Sequence, residues 1–234
     1  MGNSKQLKIR GILMLLSFFI VLMIIFLPLL PGAGGKKVNG LDYLDNFFNE
    51  LSKGSAYHID KQLEDAAHYT GSSFNHTLIM DSPQQALLAA NMLNINNLPA
   101  TVQGGVNLTV DADFGQIMTT ILRDADTMYH NNGQAITDKY GVDEMSALYS
   151  WYRLQNAMAA KLTGSGAFAQ AKFVKKSMTK GVEPAYNYYK VEVKPVREEI
   201  FLLIAALVFY VAYTIWYGFG LLYIFEGLGI KIKH

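Results

Sequence analysis

Three side chains in this sequence have the types and spacing of a metal site. Asp60, Glu64 and His68 stand at i, i+4 and i+8, so an unbroken helix would line them along one side, with His58 one turn away. Imidazole and carboxylate together bind zinc or iron. A two-iron bundle, however, takes Glu-x-x-His from two helices. No such pair exists here, and His76 and His130 lack neighbours at ligand spacing. The reading adopted is an ordinary solvated helix face carrying an i, i+4 pair, with no resident metal and no cofactor.

Other catalytic arrangements fail on composition or spacing. There is no cysteine, which excludes disulfides, thiolate metal sites, cysteine nucleophiles and covalent haem attachment. No Gly-x-Ser-x-Gly elbow occurs, and Gly164-Ser165-Gly166 falls at an expected helix connection. Gly104-Gly105 lacks the lysine and spacing of a phosphate loop. The two long apolar stretches contain no histidine, which argues against an intramembrane haem. Residues 11–30 and 200–225 contain no charged residue, and Glu226 lies at the inner edge, which argues against an ion path. The expectation is a protein that is not an enzyme. Lys172, Lys175, Lys176 and Lys180 lie on one side of an expected helix. They are candidates for contact with lipid headgroups or an acidic partner, against the plainer reading of a solvated face.

The elements that must position these residues follow from a segregation of charge. Of the 234 residues, 51% are hydrophobic and the net charge is +1, which leaves no basic footprint for nucleic acid. Residues 11–30 carry no charge and end at Pro28 and Pro31, followed by Gly32-Ala33-Gly34-Gly35 as a flexible exit. About 20 apolar residues cross a hydrocarbon core of about 30 Å. The run is longer than a signal-peptide core and lacks a good cleavage site, so an uncleaved anchor is expected. Residues 199–226 form a second apolar stretch rich in aromatics. There Tyr210, Tyr213 and Tyr217 share a helical face, with Gly218 and Gly220 offering a close backbone approach. These are the expected partner-contact residues, against the first span or another protein. The opposing reading is tyrosines snorkelling in a tilted helix.

Short flanks set orientation by their positive charge. Lys5, Lys8 and Arg10 precede the first span, and Lys231 and Lys233 follow the second. The expectation is a two-pass protein of the bacterial inner membrane. Residues 1–10 and 227–234 are then cytoplasmic tails, and residues 31–198 form a periplasmic domain.

That domain reads as a helical bundle. Leu41, Leu44, Phe47, Phe48 and Leu51 recur at helical spacing, with a break expected at Ser52-Lys53-Gly54-Ser55 and a second half through Leu63 to residue 69. Ser82-Pro83-Gln84-Gln85 combines an N-cap, a proline at the first helical position and a capping-box glutamine. That helix should stop near Asn96-Asn97. Residues 104–110 alternate enough for one short extended segment. Asp111 or Asp113 caps a third helix, Asp143 a fourth that ends at Gly164, and a fifth covers residues 167–178.

Residues 143–188 carry Trp151, Leu154, Ala157 and Met158 on one helix, a basic-to-apolar helix around Phe173, then Glu183-Pro184-Ala185-Tyr186. This stretch resembles the bacterial inner-membrane domain-of-unknown-function family 2333. That resemblance covers about a fifth of the chain and implies envelope location but no activity. Such a family has a single N-terminal anchor, and the second span here departs from it. The functional expectation is an accessory or scaffolding subunit that binds lipid bilayer and other membrane proteins. The alternative is an extracytoplasmic ligand-sensing module signalling through a partner, and the weaker one a metal- or lipid-handling domain.

Overall fold

The computed structural model describes residues 2–32 and 35–230. Ala33 and Gly34 of the glycine exit, and Lys231 and Lys233 of the C-terminal flank, lie outside the described residues. The elements are α1 (Gly2–Ile25), β1 (Leu30–Pro31), β2 (Lys37–Val38), α2 (Gly40–Ala56), α3 (Ile59–Ala67), β3 (Ser73–Ile79), α4 (Pro83–Ile95), β4 (Ala100–Gln103), β5 (Asn107–Asp113), α5 (Phe114–Tyr129), α6 (Gly133–Tyr140), α7 (Glu144–Gly164), α8 (Phe168–Ser177), a π-helical turn (Met178–Val182), α9 (Glu183–Asn187) and α10 (Val196–Gly227). The fold is mainly α, with two long apolar helices towards the ends of the chain and only small sheets. It divides into two compact units, Met1–Leu51 with Val193–His234, and Ser52–Glu192.

The first unit holds α1, the β1–β2 ladder, α2 as far as Leu51, and α10. α1 is already helical at Gly2, so the expected N-terminal tail is its first turns. It ends at Ile25, short of the expected limit at residue 30. Pro28 has no amide to continue the helix and restricts the residue before it. β1 and β2 then pair antiparallel, Leu30 opposite Val38. At α10 the Pro195 backbone is extended and Glu198 and Glu199 occupy the first turn, where the helix dipole favours carboxylates. Lys194 pairs with Glu50 at 2.8 Å, and its amide donates to the Glu50 carbonyl at 3.3 Å.

The second unit packs α3 to α9 around a core centred on α5 and α7, where Ile117, Ile121, Trp151 and Leu154 are fully buried. Three expected N-caps are in place. Ser82 accepts from the Gln85 amide at 3.2 Å, Asp113 from Gln116 at 2.7 Å, and Asp143 from Ser146 at 2.8 Å. Asp113, not Asp111, is therefore the cap of α5. The return half of the capping box is missing, because the Gln85 side-chain oxygen finds no partner among the described residues.

Two expectations need correction, and one connection is unforeseen. The extended segment expected near residues 104–110 is the turn at Gly104 and Gly105, φ 64° and 83°, and the start of β5, and a second strand, β4, precedes it. β3 completes an antiparallel sheet in the order β3-β5-β4. Its alternation is hidden in the sequence, since His76 stands between the buried Phe74 and Leu78 on the inward face. α2 does not break at residues 52–55 but runs to Ala56. Tertiary bonds hold that turn: the buried Lys53 ammonium donates to Asn131 Oδ1 at 2.9 Å and to the Val191 carbonyl at 2.6 Å. Finally, α8 passes without a loop into the π turn and α9. A Cβ at Gly181 would stand 2.8 Å from Leu122 Cδ2 on α5, so a larger residue in this turn would have to displace the Leu122 side chain.

Asp124 is the polar centre of this unit. It is buried on α5, accepts from Trp151 Nε1 at 2.8 Å and from the Tyr140 hydroxyl, and pairs with Lys139 at 2.8 Å. Burial first, and the Asp124 charge second, push the Tyr140 phenol well above its usual range, so it stays a donor. Removing one member of a buried charged network strands the others. Asp124→Ala should lose about 3–5 kcal/mol, read as a lowered midpoint in the tryptophan-fluorescence melt. Lys139→Met, at a partly exposed position, should lose less.

Glu144 opens α7 and holds the C-terminal segment of the unit, accepting from Tyr189 at 2.9 Å and from Thr137 at 3.1 Å. Its own backbone amide, then the Tyr189 hydroxyl, hold its pKa down to about 2 from 4.5. A carboxylate depressed on folding stabilises above its unfolded pKa and loses that contribution as pH falls. The stability gap between wild type and Glu144→Gln should be full above about pH 5 and close towards about pH 2. A gap independent of pH across that window would contradict this.

Candidate functional site

The expected partner-contact residues lie on α10, and the structure sorts them by face. α1 and α10 pack antiparallel within the first unit. Ser4 and Lys8 meet Gly227, Gly11 meets Gly220 and Ile224, Leu15 meets Gly220, and Phe18 meets Tyr213 and Tyr217. On each helix these residues recur every three or four positions, which is the seam of a coiled coil.

Glycine is required at two points of this seam. A Cβ on Gly11 would stand 2.8 Å from the Gly220 carbonyl and the Ile224 amide, both backbone atoms that cannot rotate away. A Cβ on Gly227 would stand 2.6 Å from Lys8 Cγ and 2.9 Å from the Lys8 amide. Small residues let helices approach in this way where lipid supplies no hydrophobic drive between them. The Ser4 hydroxyl adds a bond to the Gly227 carbonyl at 2.6 Å, occupying one of the carbonyls a helix end leaves open.

Tyr213 stacks on Phe18 at 4.1 Å between ring centroids, and Tyr217 leans on the same ring at 5.1 Å. Both therefore touch the first span. The bond expected of a tyrosine hydroxyl in hydrocarbon is not made by Tyr213, which finds no partner among the described residues; its ring carries the contact. Tyr210 is 67% exposed and lies off the seam. Gly218 has nothing within 4 Å of its Cβ position. At 3.6 residues per turn, two positions separate Gly218 from Gly220 by about 200°, so only Gly220 faces α1. The close approach assigned to Gly218 and Gly220 together thus belongs, within this chain, to Gly220 alone. Gly11 and Gly227 were not singled out by sequence reasoning. Their signal was the regular spacing of Ser4, Lys8, Gly11, Leu15 and Phe18, matched by Tyr213, Gly220 and Gly227 seven residues apart.

Both helices are long and apolar enough to cross a membrane, and few of their side chains are buried. Ile12, Leu16, Phe19, Phe201, Val208 and Val211 are all more than half exposed. An apolar surface of this extent marks a membrane or protein contact. A helix at the core of a water-soluble domain would instead be mostly buried.

The remaining candidates do not gather. Asp60 and Glu64 are exposed on α3, and His68 follows its last residue. Asp60 accepts from the Tyr57 hydroxyl at 2.9 Å, and His68 Nδ1 lies 3.3 Å from the Glu64 carbonyl, not its carboxylate. Among the described residues no three His, Asp or Glu side chains converge on one point. Lys172, Lys175, Lys176 and Lys180 are exposed, and Lys176 is paired with Asp65 at 2.7 Å.

No protein-family model, curated protein or solved structure matches this chain.

The seam makes a direct prediction. A short bifunctional maleimide should join the cysteines of a Phe18→Cys/Tyr213→Cys variant within one chain, against a background free of cysteine. Adding Gly11→Leu should cut that yield several-fold by driving the backbones apart, while adding Gly218→Leu should leave it unchanged.

Proposed function

We propose that this is a non-enzymatic two-pass protein of the bacterial inner membrane that serves as an accessory or scaffolding subunit for other membrane proteins. In this reading α1 and α10 form a membrane hairpin. The unit Ser52–Glu192 is periplasmic and both chain ends are cytoplasmic. The antiparallel pairing of α1 and α10 is consistent with both ends lying on one side, and Lys5, Lys8 and Arg10 favour the cytoplasmic one. The resemblance of residues 143–188 to an inner-membrane family agrees with that location.

One observation carries the scaffolding reading. The hairpin seals itself along Gly11, Gly220 and Gly227, and the opposite side of α10 keeps a second glycine, Gly218, in open space. Glycine in a helix interior is about 1 kcal/mol less favourable than alanine. A glycine that faces away from its own chain is explained by a backbone that approaches from another. Tyr210, on the flank between the two sides, supplies a hydroxyl donor for that approach.

Two measurements test the proposal. A topology reporter inserted at the exposed Gly104-Gly105 turn should report the periplasm, and one fused at the C-terminus the cytoplasm; the reverse pattern removes the orientation. Mild-detergent co-purification should recover membrane partners with wild type and with Leu207→Ile, a volume-conserving change at an exposed α10 position. Gly218→Leu should lose them while the Phe18–Tyr213 crosslink persists. Equal recovery for both variants would assign the far side of α10 to lipid.

A further inference from the structure

The second unit contains a cleft that the scaffolding reading does not use. It lies where α7 meets the π turn and α9, encloses about 290 Å³, and is lined by Tyr149, Tyr152, Val182, Glu183, Tyr186 and Asn187. Tyr149 and Tyr152 are one helical turn apart on α7, with their rings 6.2 Å apart and inclined by only 18°. Tyr186 comes from α9 and is 40% exposed, and Tyr149 is 44% exposed. Three phenol rings are thus offered to one half-open space.

Its charge is as specific as its shape. Glu183 is the one ionisable carboxylate in the lining, and no lysine, arginine or histidine accompanies it. Among the described residues it forms no ion pair. Aromatic faces carry negative potential and attract cations, most strongly when the cation sheds water easily. A carboxylate beside three such faces selects against anions and adds attraction for a positive charge. A primary ammonium keeps a tight water shell, whereas an alkylated ammonium presents methyl groups that pack on rings. The volume is at the small end for ligand pockets, enough for a compact ligand or a headgroup.

The position of the cleft is a product of the π turn. Met178–Val182 carries the chain from α8 into α9 without a loop, and this places Val182, Glu183 and Tyr186 opposite the α7 tyrosines. π-helical turns lie disproportionately at functional sites. Tyr149 and Tyr152 are one helical turn apart, a spacing that by itself reads as core. The cue that sequence reasoning passed over was Glu183 and Tyr186 recurring three apart, matching the spacing of Tyr149 and Tyr152.

We infer that the Tyr149–Tyr152–Tyr186 cleft, with Glu183 at its wall, binds a quaternary or polyalkylated ammonium group. The ligand is either a free organic cation or the headgroup of a choline lipid, which share that chemistry. The site is independent of the partner face on α10, and it stands whether or not the chain has a protein partner.

The test uses the full chain purified in a maltoside detergent, with phosphocholine detergents excluded. Isothermal titration with choline should show saturable binding. Its neutral isostere, 3,3-dimethylbutanol, should bind more weakly by roughly tenfold or more. Glu183→Gln and, separately, Tyr186→Leu should each weaken choline by about tenfold, with the thermal midpoint unchanged. Lys172→Ala, outside the cleft, should bind as wild type. Competition by a short-chain phosphatidylcholine, but not by the matching phosphatidylglycerol, supports the site and assigns the ligand to lipid. Its absence, with choline still binding, supports the site and assigns a free cation. Equal binding of choline and its neutral isostere overturns the inference, and so does undiminished binding by both folded variants or no saturable choline heat at all. A failure of partner co-purification leaves these titrations unaffected, so the two readings fail separately.

Discussion

Hydrocarbon offers no hydrogen bonds, so a chain that enters it must satisfy its backbone within its own helices and must find contacts other than the hydrophobic effect to hold those helices together. In the proposed membrane setting, the pairing of α1 and α10 meets that constraint through backbone proximity. Gly11 and Gly227 remove the side chains that would keep the two axes apart, and Phe18 against Tyr213 fills the seam where glycine is absent. The polar contact at the Ser4 end is a single hydroxyl capping an open carbonyl at Gly227. Van der Waals contact therefore does most of the holding, and it acts only at short range. Small residues on the seam thus matter more than the identity of the bulky ones that line the rest of each helix.

The second unit solves a different problem with different means. Its core is large and apolar, and its two buried charged groups, Asp124 and Lys53, are tied to particular partners. Asp124 binds Trp151, Tyr140 and Lys139 and so joins α5, α6 and α7. Lys53 joins the end of α2 to Asn131 and Val191, with no carboxylate among the described residues in hydrogen-bonding contact. Burial drives its pKa down, and the Tyr129 ring at 5.2 Å offers compensating attraction. Asn131 itself takes a left-handed conformation at φ 62°, which its side chain tolerates better than most. A single asparagine thereby receives the Lys53 ammonium and the Lys190 amide and donates to Val191.

Much of this architecture was legible in the residues. The caps at Ser82, Asp113 and Asp143 could be read because a short polar side chain ahead of a periodic apolar run has a local cause. The same holds for the end of α7 at Gly164. What could not be read was set by distant contacts. The turn at residues 52–55 looks like a breaker and is helical because Lys53 reaches partners far along the chain. β3 exposes its alternation only once β5 lies beside it. On α10, Gly218 and Gly220 are equivalent as letters, and only the rotational position of α1 distinguishes them. The cleft tyrosines were hidden for a related reason: an aromatic at helical spacing reads as core until the neighbouring element shows which ring is left open.

The seven-residue recurrence of Tyr213, Gly220 and Gly227 has a mechanical consequence. Axial sliding of α10 along α1 by one turn, about 5.4 Å, would part Gly11 from the Gly220 carbonyl and the Ser4 hydroxyl from the Gly227 carbonyl. The seam is indexed like a ratchet, with the backbone contact at Gly11 as its pawl. Piston-like displacement of one helix past the other breaks these contacts, while tilting of the pair as a single lever leaves every contact intact.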